Sequence, residues 1–165
     1  MGENAACEIV ECAAQQCSVY GLCVWGSNVT ATRCEFMENG EKGVFCAGAN
    51  TKARLKNCQI HHNGTHGLCA FDHAVVDLHG TKTDVHSNKR HGIRASSRAK
   101  VNIHLPSQHN TSHDNVGEDR RQEGGGSIVN INADGTFTYN HFNLHEIVAD
   151  WSDSSDSRDS NSDDD

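Results

Sequence analysis

A glycine followed by an aliphatic residue returns four times in this chain, at Gly21-Leu22, Gly43-Val44, Gly67-Leu68 and Gly92-Ile93, with spacings of 22, 24 and 25 residues. A period in this range marks a solenoid, whose units bury their apolar faces only by stacking on one another. Other positions keep step with the glycines. Nine residues before each stand Cys12, Cys34, Cys58 and Thr83; seven before, Ala14, Phe36, Ile60 and Val85; four before, Cys17, Asn39, Asn63 and Asn88. One and three residues after lie Leu22 and Val24, Val44 and Cys46, Leu68 and Ala70, Ile93 and Ala95. A third alternating stretch closes each unit: Val29 and Ala31, Ala53 and Leu55, Val76 and Leu78, Val101 and Ile103, with Cys7 and Ile9 in the same slot upstream. All three stretches have the two-residue period of strands, and none has the 3.6-residue period of a helix. Gly, Asn and Asp punctuate them, as turns with positive φ require.

Three short strands per unit describe one coil of a parallel β-helix, with coils stacked about 4.8 Å apart. The expected fold is therefore all-β: a short parallel β-helix of four to five coils, with Asn39, Asn63 and Asn88 forming an amide ladder at one turn. The pattern running from Cys34 to Val44 and from Cys58 to Leu68, Cys-x-[Phe/Ile]-x-x-Asn-x-x-x-Gly-aliphatic, resembles the repeat of the right-handed, pectin-lyase-like β-helix superfamily. It is most similar to the Cys- and Asn-laddered repeats of F-box-only ubiquitin-ligase receptors and of uncharacterised algal and microbial β-helix proteins. The resemblance covers residues 7–105, extending to 118, and no F-box accompanies it. It implies right-handedness; it leaves activity open, because the superfamily includes lyases, epimerases, hydrolases and non-catalytic scaffolds.

The chain divides by pattern. Residues 1–118 are expected to hold the β-helix repeats, with the stretch from Asn110 to Asn115 echoing Thr83 to Asn88 as a degraded fifth coil. Residues 119–126 read as a Gly-rich linker. Residues 127–151 read as a C-terminal hairpin and cap, because Asp134-Gly135 separates two β-prone runs; the run at 143–151 could add a short helix or strand. Residues 152–165, SDSSDSRDSNSDDD, read as a disordered acidic tail that holds five of the eight net negative charges. The repeats begin mid-unit at Cys7, with no N-terminal cap in the sequence. This points to a fragment, a truncated copy, or a piece that docks through its first coil. No apolar run is long enough for a membrane span, and no secretory leader is visible, so a cytoplasmic or nuclear location is expected.

The sequence holds 8 Cys and 12 His. Cys12, Cys34 and Cys58 share one slot, and Cys46 shares an inward slot with Val24, Ala70 and Ala95, which favours small buried side chains over disulfides or thiolate ligands. His61 and His86, His66 and His91, and His79 and His104 form pairs on adjacent coils. Stacked imidazoles could bind a transition metal, but Asp72, Asp77 and Asp84 show no evident convergence with them, so no metal and no cofactor is assigned.

Two outward surfaces stand out. Residues two and four after each glycine should point outward: Cys23, Trp25, Phe45, Ala47, Cys69 and Phe71 then make an apolar strip over three coils. Such a strip marks a contact surface, covered either by the segment bearing Phe137, Tyr139 and Phe142 or by a partner protein. The second is a polar, anion-contacting patch of His62, His66, His86, His91, Arg90 and Arg94. The carboxylates of the coils fall on no adjacent rungs in one slot, and no catalytic residue is assigned; Glu38 beside His62 is the nearest thing to an acid/base pair. The expected function is a non-catalytic β-helix interaction scaffold that binds a protein partner through an outer face, or self-associates through uncapped coil ends. The alternative is a fragment or accessory of a polysaccharide-active β-helix protein, with carbohydrate as its ligand. Nucleic acid is not expected, because the body is not basic and its basic segment lacks interleaved aromatics.

Overall fold

The computed structural model describes residues 5–104 and 111–139. Its strands form three sheets. The first sheet contains β1 (Ala6–Val10), β4 (Asn28–Thr32), β7 (Lys52–Lys56), β10 (Val75–His79), β13 (Lys100–His104), β16 (Ser127–Ile131) and β17 (Phe137–Tyr139). The second contains β2 (Ala13–Gln15), β5 (Glu35–Met37), β8 (Gln59–His61), β11 (Asp84–His86) and β14 (Ser112–His113). The third contains β3 (Tyr20–Trp25), β6 (Lys42–Ala47), β9 (Leu68–Phe71), β12 (Ile93–Ala95) and β15 (Arg120–Gln122). The chain visits the sheets in strict rotation, and each strand pairs in parallel with its counterpart one coil on, giving five coils. Among the described residues, only the β16–β17 pairing is antiparallel, across the expected Asp134-Gly135 turn.

The ladders are those read from the repeat. In the first sheet Val29, Ala53, Val76, Val101 and Ile128 stack in register, as do Ala31, Leu55, Leu78 and Ile103. Phe36, Ile60 and Val85 fill the second sheet's inner face, and Val44, Leu68 and Ile93 the third's. All of these except Val29 are buried, and they form one core running along the axis. The Asn ladder is continuous. The Oδ1 of Asn63 accepts from the backbone N–H of Asn39 at 3.1 Å, and that of Asn88 accepts from Asn63 at 3.1 Å. Asn115 adds a rung the repeat only hinted at, accepting from Asn88 at 3.0 Å.

Positive φ falls at Asn57, Asp72, Asp114 and several glycines, as the turn chemistry suggested, but also at residues it did not mark. The bends between the first two sheets place Glu11, Arg33 and Asn57 at φ between 53° and 55°, and those after the second sheet place Gln16, Glu38, His62, Ser87 and Asp114 at φ between 54° and 56°. Glu11, Arg33, Gln16, Glu38 and His62 have exposed side chains, so each L residue bears a local penalty of about 1–2 kcal/mol that the surrounding ladders outweigh. The Cys slot acts on the same bends. The thiols of Cys34 and Cys58 donate to the carbonyls of Thr32 and Lys56 at 3.4 and 3.5 Å, and the Thr83 hydroxyl, in that slot, donates to the His79 carbonyl. Cys and Thr interchange there because both are small donors. All eight cysteines are free thiols, four of them buried.

The expected linker is corrected. Within 119–126, β15 pairs with β12, and β16 then pairs with β13, so the fifth coil runs on without a break. The apolar pattern fades in this last described coil. Its inward positions are Ser112, Arg120 and Gln122, with Asn130 following on β16. The Ser112 hydroxyl donates to the Asp119 carbonyl at 2.6 Å, Arg120 donates to Asn130 Oδ1 at 3.2 Å, and Gln122 Oε1 accepts from the Ile128 N–H at 2.6 Å. Burial lowers the pKa of Arg120, with Asp119 acting in the opposite sense. Phe142, the run at 143–151 and the Ser/Asp tail lie outside the described residues.

Candidate functional site

The outer face of the third sheet changes character along the axis. Trp25, Ala47 and Phe71 form one outward ladder, and Cys23, Phe45, Cys69, Arg94 and Arg121 form the next. Trp25 is 68% exposed and Phe71 39%, while Ala47 between them is fully buried. Cys23 is exposed and Phe45 half-buried; Cys69, between Phe45 and Arg94, is buried. Tyr20 packs on Phe45 with ring centroids 5.2 Å apart, and the Lys42 ammonium sits over both rings at 4.7 and 5.2 Å. Of the six residues of the strip, four reach solvent and two are shielded by larger neighbours. The described C-terminal segment does not cover them: β17 extends the first sheet, and Phe137 is itself 58% exposed.

Beyond the aromatics the same face is charged. Arg94 donates to Glu123 through Nε at 2.9 Å and also through Nη2, and Arg121 pairs with Glu118 at 2.7 Å. The patch read as anion-contacting is thereby divided. Arg94 is engaged by a carboxylate and Arg90 is exposed. His66 is only 4% exposed, and its Nδ1 accepts the His91 backbone N–H at 3.3 Å; His91 Nδ1 in turn accepts the Glu118 N–H at 3.0 Å. These two stacked rings, 5.1 Å apart, carry backbone hydrogen bonds from coil to coil much as the amides do. No local sequence signal marks that role.

Burial first, then the nearby His91, Arg94, Arg90 and Lys42, lower the pKa of His66 to about 4. Protonating Nδ1 would also eject the His91 N–H. The unfolded chain, with an ordinary pKa near ~6.5, takes up a proton that the folded chain refuses, so stability falls as pH drops through this window. A loss of about 1–2 kcal/mol between pH 7 and pH 5, after allowance for solvent screening, is expected in urea unfolding. His66→Gln should flatten that slope; an unchanged slope would refute the assignment.

The second sheet carries a stack of three imidazoles, His61, His86 and His113, with centroids 4.9 and 5.3 Å apart. His61 pairs with Glu35 at 2.8 Å and touches His62 at 2.8 Å; His113 pairs with Asp114 at 2.8 Å and Asp84 at 3.2 Å. The hydrogen bond that His113 donates to Asp114 leads in raising the pKa of His113. His62 stands exposed at its bend, one rung above Glu38, which bonds Gln16 at 3.2 Å. A shallow groove of about 420 Å³ runs between the first and second sheets, lined by Arg33, Cys34, Glu35, Asn57, Gln59 and Lys82 among others.

On the first sheet, Asp77 Oδ1 lies 3.0 Å from His104 Nε2, and His79 stacks on His104 with centroids 3.9 Å apart. The expectation that Asp77 and Asp84 lack convergence with histidines is thus corrected. Each is two residues before a histidine on its own strand (His79, His86) and lies beside one on the next (His104, His113). Burial opposes ionisation of Asp77, but hydrogen bonds from Asn102 and His104 outweigh it and hold its pKa below the usual range.

Coils of three parallel strands around one aliphatic core define a β-helix protein. The chain belongs to the right-handed β-helix family: the description "Right handed beta helix region" matches residues 1–162. No curated protein and no solved structure matches it. Among the described residues, no helix is long and apolar enough to cross a membrane.

Proposed function

We propose that this β-helix is a non-catalytic scaffold that docks a protein partner on the outer face of its third sheet. The observation that carries the reading is the pair Trp25 and Phe71, two large aromatics exposed on one rigid ladder around a buried Ala47. Interface energy concentrates in such aromatic anchors set among polar neighbours. The salt-bridged Arg94, Glu123, Arg121 and Glu118 supply a polar border on the adjoining coils. Self-association would use the edges of β1, β2 and β3, which among the described residues pair on one side only.

The polysaccharide-active alternative draws on the same exposed rings, since sugars also stack on aromatics. Its carboxylates are less favourable: Glu35 and Asp84 flank Gln59 in one ladder, and each is paired with a histidine. Trp25→Asp and Phe71→Asp should leave the fold intact and abolish capture of a specific protein by the immobilised chain. Capture unaffected by both would refute the reading, and a glycan-array signal lost with Trp25 would favour the alternative. Sedimentation velocity on the same samples separates a second copy from a different partner.

A further inference from the structure

The first sheet bears a side-chain cluster on the coil wall that the docking face does not use. Asp77 and His79 are two residues apart on β10 and leave the sheet on the same side. His104, on β13, follows the Leu78–Ile103 register and stands beside His79. The imidazole planes are 14° apart and their centroids 3.9 Å apart. One ligand atom from each of Asp77, His79 and His104 lies within 4.8 Å of the other two. We propose that Asp77, His79 and His104 form a binding site for a divalent transition-metal ion, best suited to zinc.

The geometry fits the ion with little rearrangement. Zinc binds imidazole nitrogen and carboxylate oxygen at about 2.0–2.2 Å, so two ligands on one ion are separated by ~3.0–3.4 Å. Asp77 Oδ1 and His104 Nε2 already stand 3.0 Å apart, and a small tilt of the stacked rings brings in His79. Asn102, beside Asp77 in the ladder, donates to its Oδ1 at 3.0 Å and fixes the carboxylate's direction, as partners of metal ligands commonly do. The Nε2 of His79 is buried and has no hydrogen-bond partner among the described residues. A buried imidazole nitrogen without a partner is costly unless something occupies it. Two imidazoles and a carboxylate with a fourth position for water are a zinc donor set. Coordination at His104 Nε2 takes the place of the hydrogen between it and Asp77, which moves to Nδ1 of a neutral ring or leaves to solvent from a protonated one.

The other histidine stacks lack this combination. In the pair His66 and His91, both Nδ1 atoms are occupied by backbone N–H groups, and among the described residues neither ring pairs with a carboxylate. In the triple stack, the carboxylates bond its two ends, Glu35 at His61 and Asp84 with Asp114 at His113. Arg54 and Lys56 occupy the preceding rung beside the proposed site; both are exposed, and solvent and salt screen them.

Exposed thiols and the remaining imidazoles also take up zinc. The test therefore uses the full chain alkylated under native conditions, titrated with ZnCl₂ in a calorimeter. Wild type and the control His61→Ala should show one saturable event that His79→Ala, His104→Ala and Asp77→Asn each weaken by about tenfold or more. Zinc should also raise the melting temperature of wild type and not that of Asp77→Asn, a near-isosteric variant that decides the matter if a histidine variant misfolds. Equal zinc affinity and equal thermal shift in wild type and Asp77→Asn would overturn the site, as would the absence of saturable binding in wild type.

Discussion

Replacing Asn63 with alanine is expected to lower stability by about 3–5 kcal/mol, a large share of the roughly 5–15 kcal/mol of an ordinary domain. The side chain is fully buried and makes four hydrogen bonds. Its Oδ1 accepts from the Asn39 N–H at 3.1 Å and Nδ2 at 3.0 Å; its Nδ2 donates to the Phe36 carbonyl at 3.1 Å and to Asn88 Oδ1 at 2.9 Å. Asn88 Oδ1 and Asn39 Nδ2 each retain another partner, from the Asn63 N–H and at the Ala14 carbonyl. The Asn39 N–H loses its partner, while the Phe36 carbonyl, a member of the β5–β8 ladder, loses one donor. One buried backbone N–H left unpaired costs about 1–3 kcal/mol, and the lost side-chain hydrogen bonds and the vacated volume add to this. Asn115→Ala, at the less buried end of the ladder, should cost less. Denaturant midpoints of the two variants check the gradient; an Asn63→Ala protein within about 1 kcal/mol of wild type would remove the ladder from the account of stability.

The parts of this fold legible in the sequence are those that every coil repeats. Ladders require the same residue type at the same slot, so Asn39, Asn63 and Asn88, the inward aliphatics and the stacked histidines could be aligned without coordinates. The parts that were illegible break the repetition for a physical reason. Ser112, Arg120, Gln122 and Asn130 face inward in the last described coil and satisfy polar groups there, so the apolar template does not find them. Some bends take positive φ at Glu, Gln, Arg and His, beside Asn57 and Asp114, because those side chains stand in solvent and the neighbouring rungs dictate the backbone.

The candidate sites follow the same division. Alternation places Trp25 and Phe71 outside, but Ala47 and Cys69 are equally outward and yet buried, because burial depends on the size of the neighbours on adjoining coils. The sharing of Asp77 between Asn102 and His104 is a relation between neighbouring strands, which slot-by-slot comparison does not examine. His66, read as an anion contact, carries a backbone hydrogen bond instead.

The glycine that sets the period offers the second large effect. Gly67→Ala is expected to destabilise the protein by about 2–4 kcal/mol or to prevent folding, in the range of overpacked and strained core sites. Gly67 is not among the residues with positive φ, so backbone freedom does not explain it. The reason is close approach. A Cβ built there would stand 2.5 Å from Val85 Cγ1, 2.6 Å from Asn88 Nδ2 and 2.9 Å from the Gly92 carbonyl oxygen. One methyl would thus strike the core, the amide ladder and the next coil's backbone together. Gly43 meets the equivalent atoms one coil earlier, Ile60 Cγ2 at 2.5 Å, Asn63 Nδ2 at 2.7 Å and the Gly67 oxygen at 2.9 Å. Gly26, by contrast, has φ of 61° with nothing within 4 Å of its Cβ position. Gly26→Ala should therefore cost only the strain of a left-handed residue, about 1 kcal/mol. Thermal melts of the three variants distinguish the two causes: close approach requires Gly43→Ala and Gly67→Ala to fall well below Gly26→Ala, and equal losses at all three would assign the period to backbone conformation.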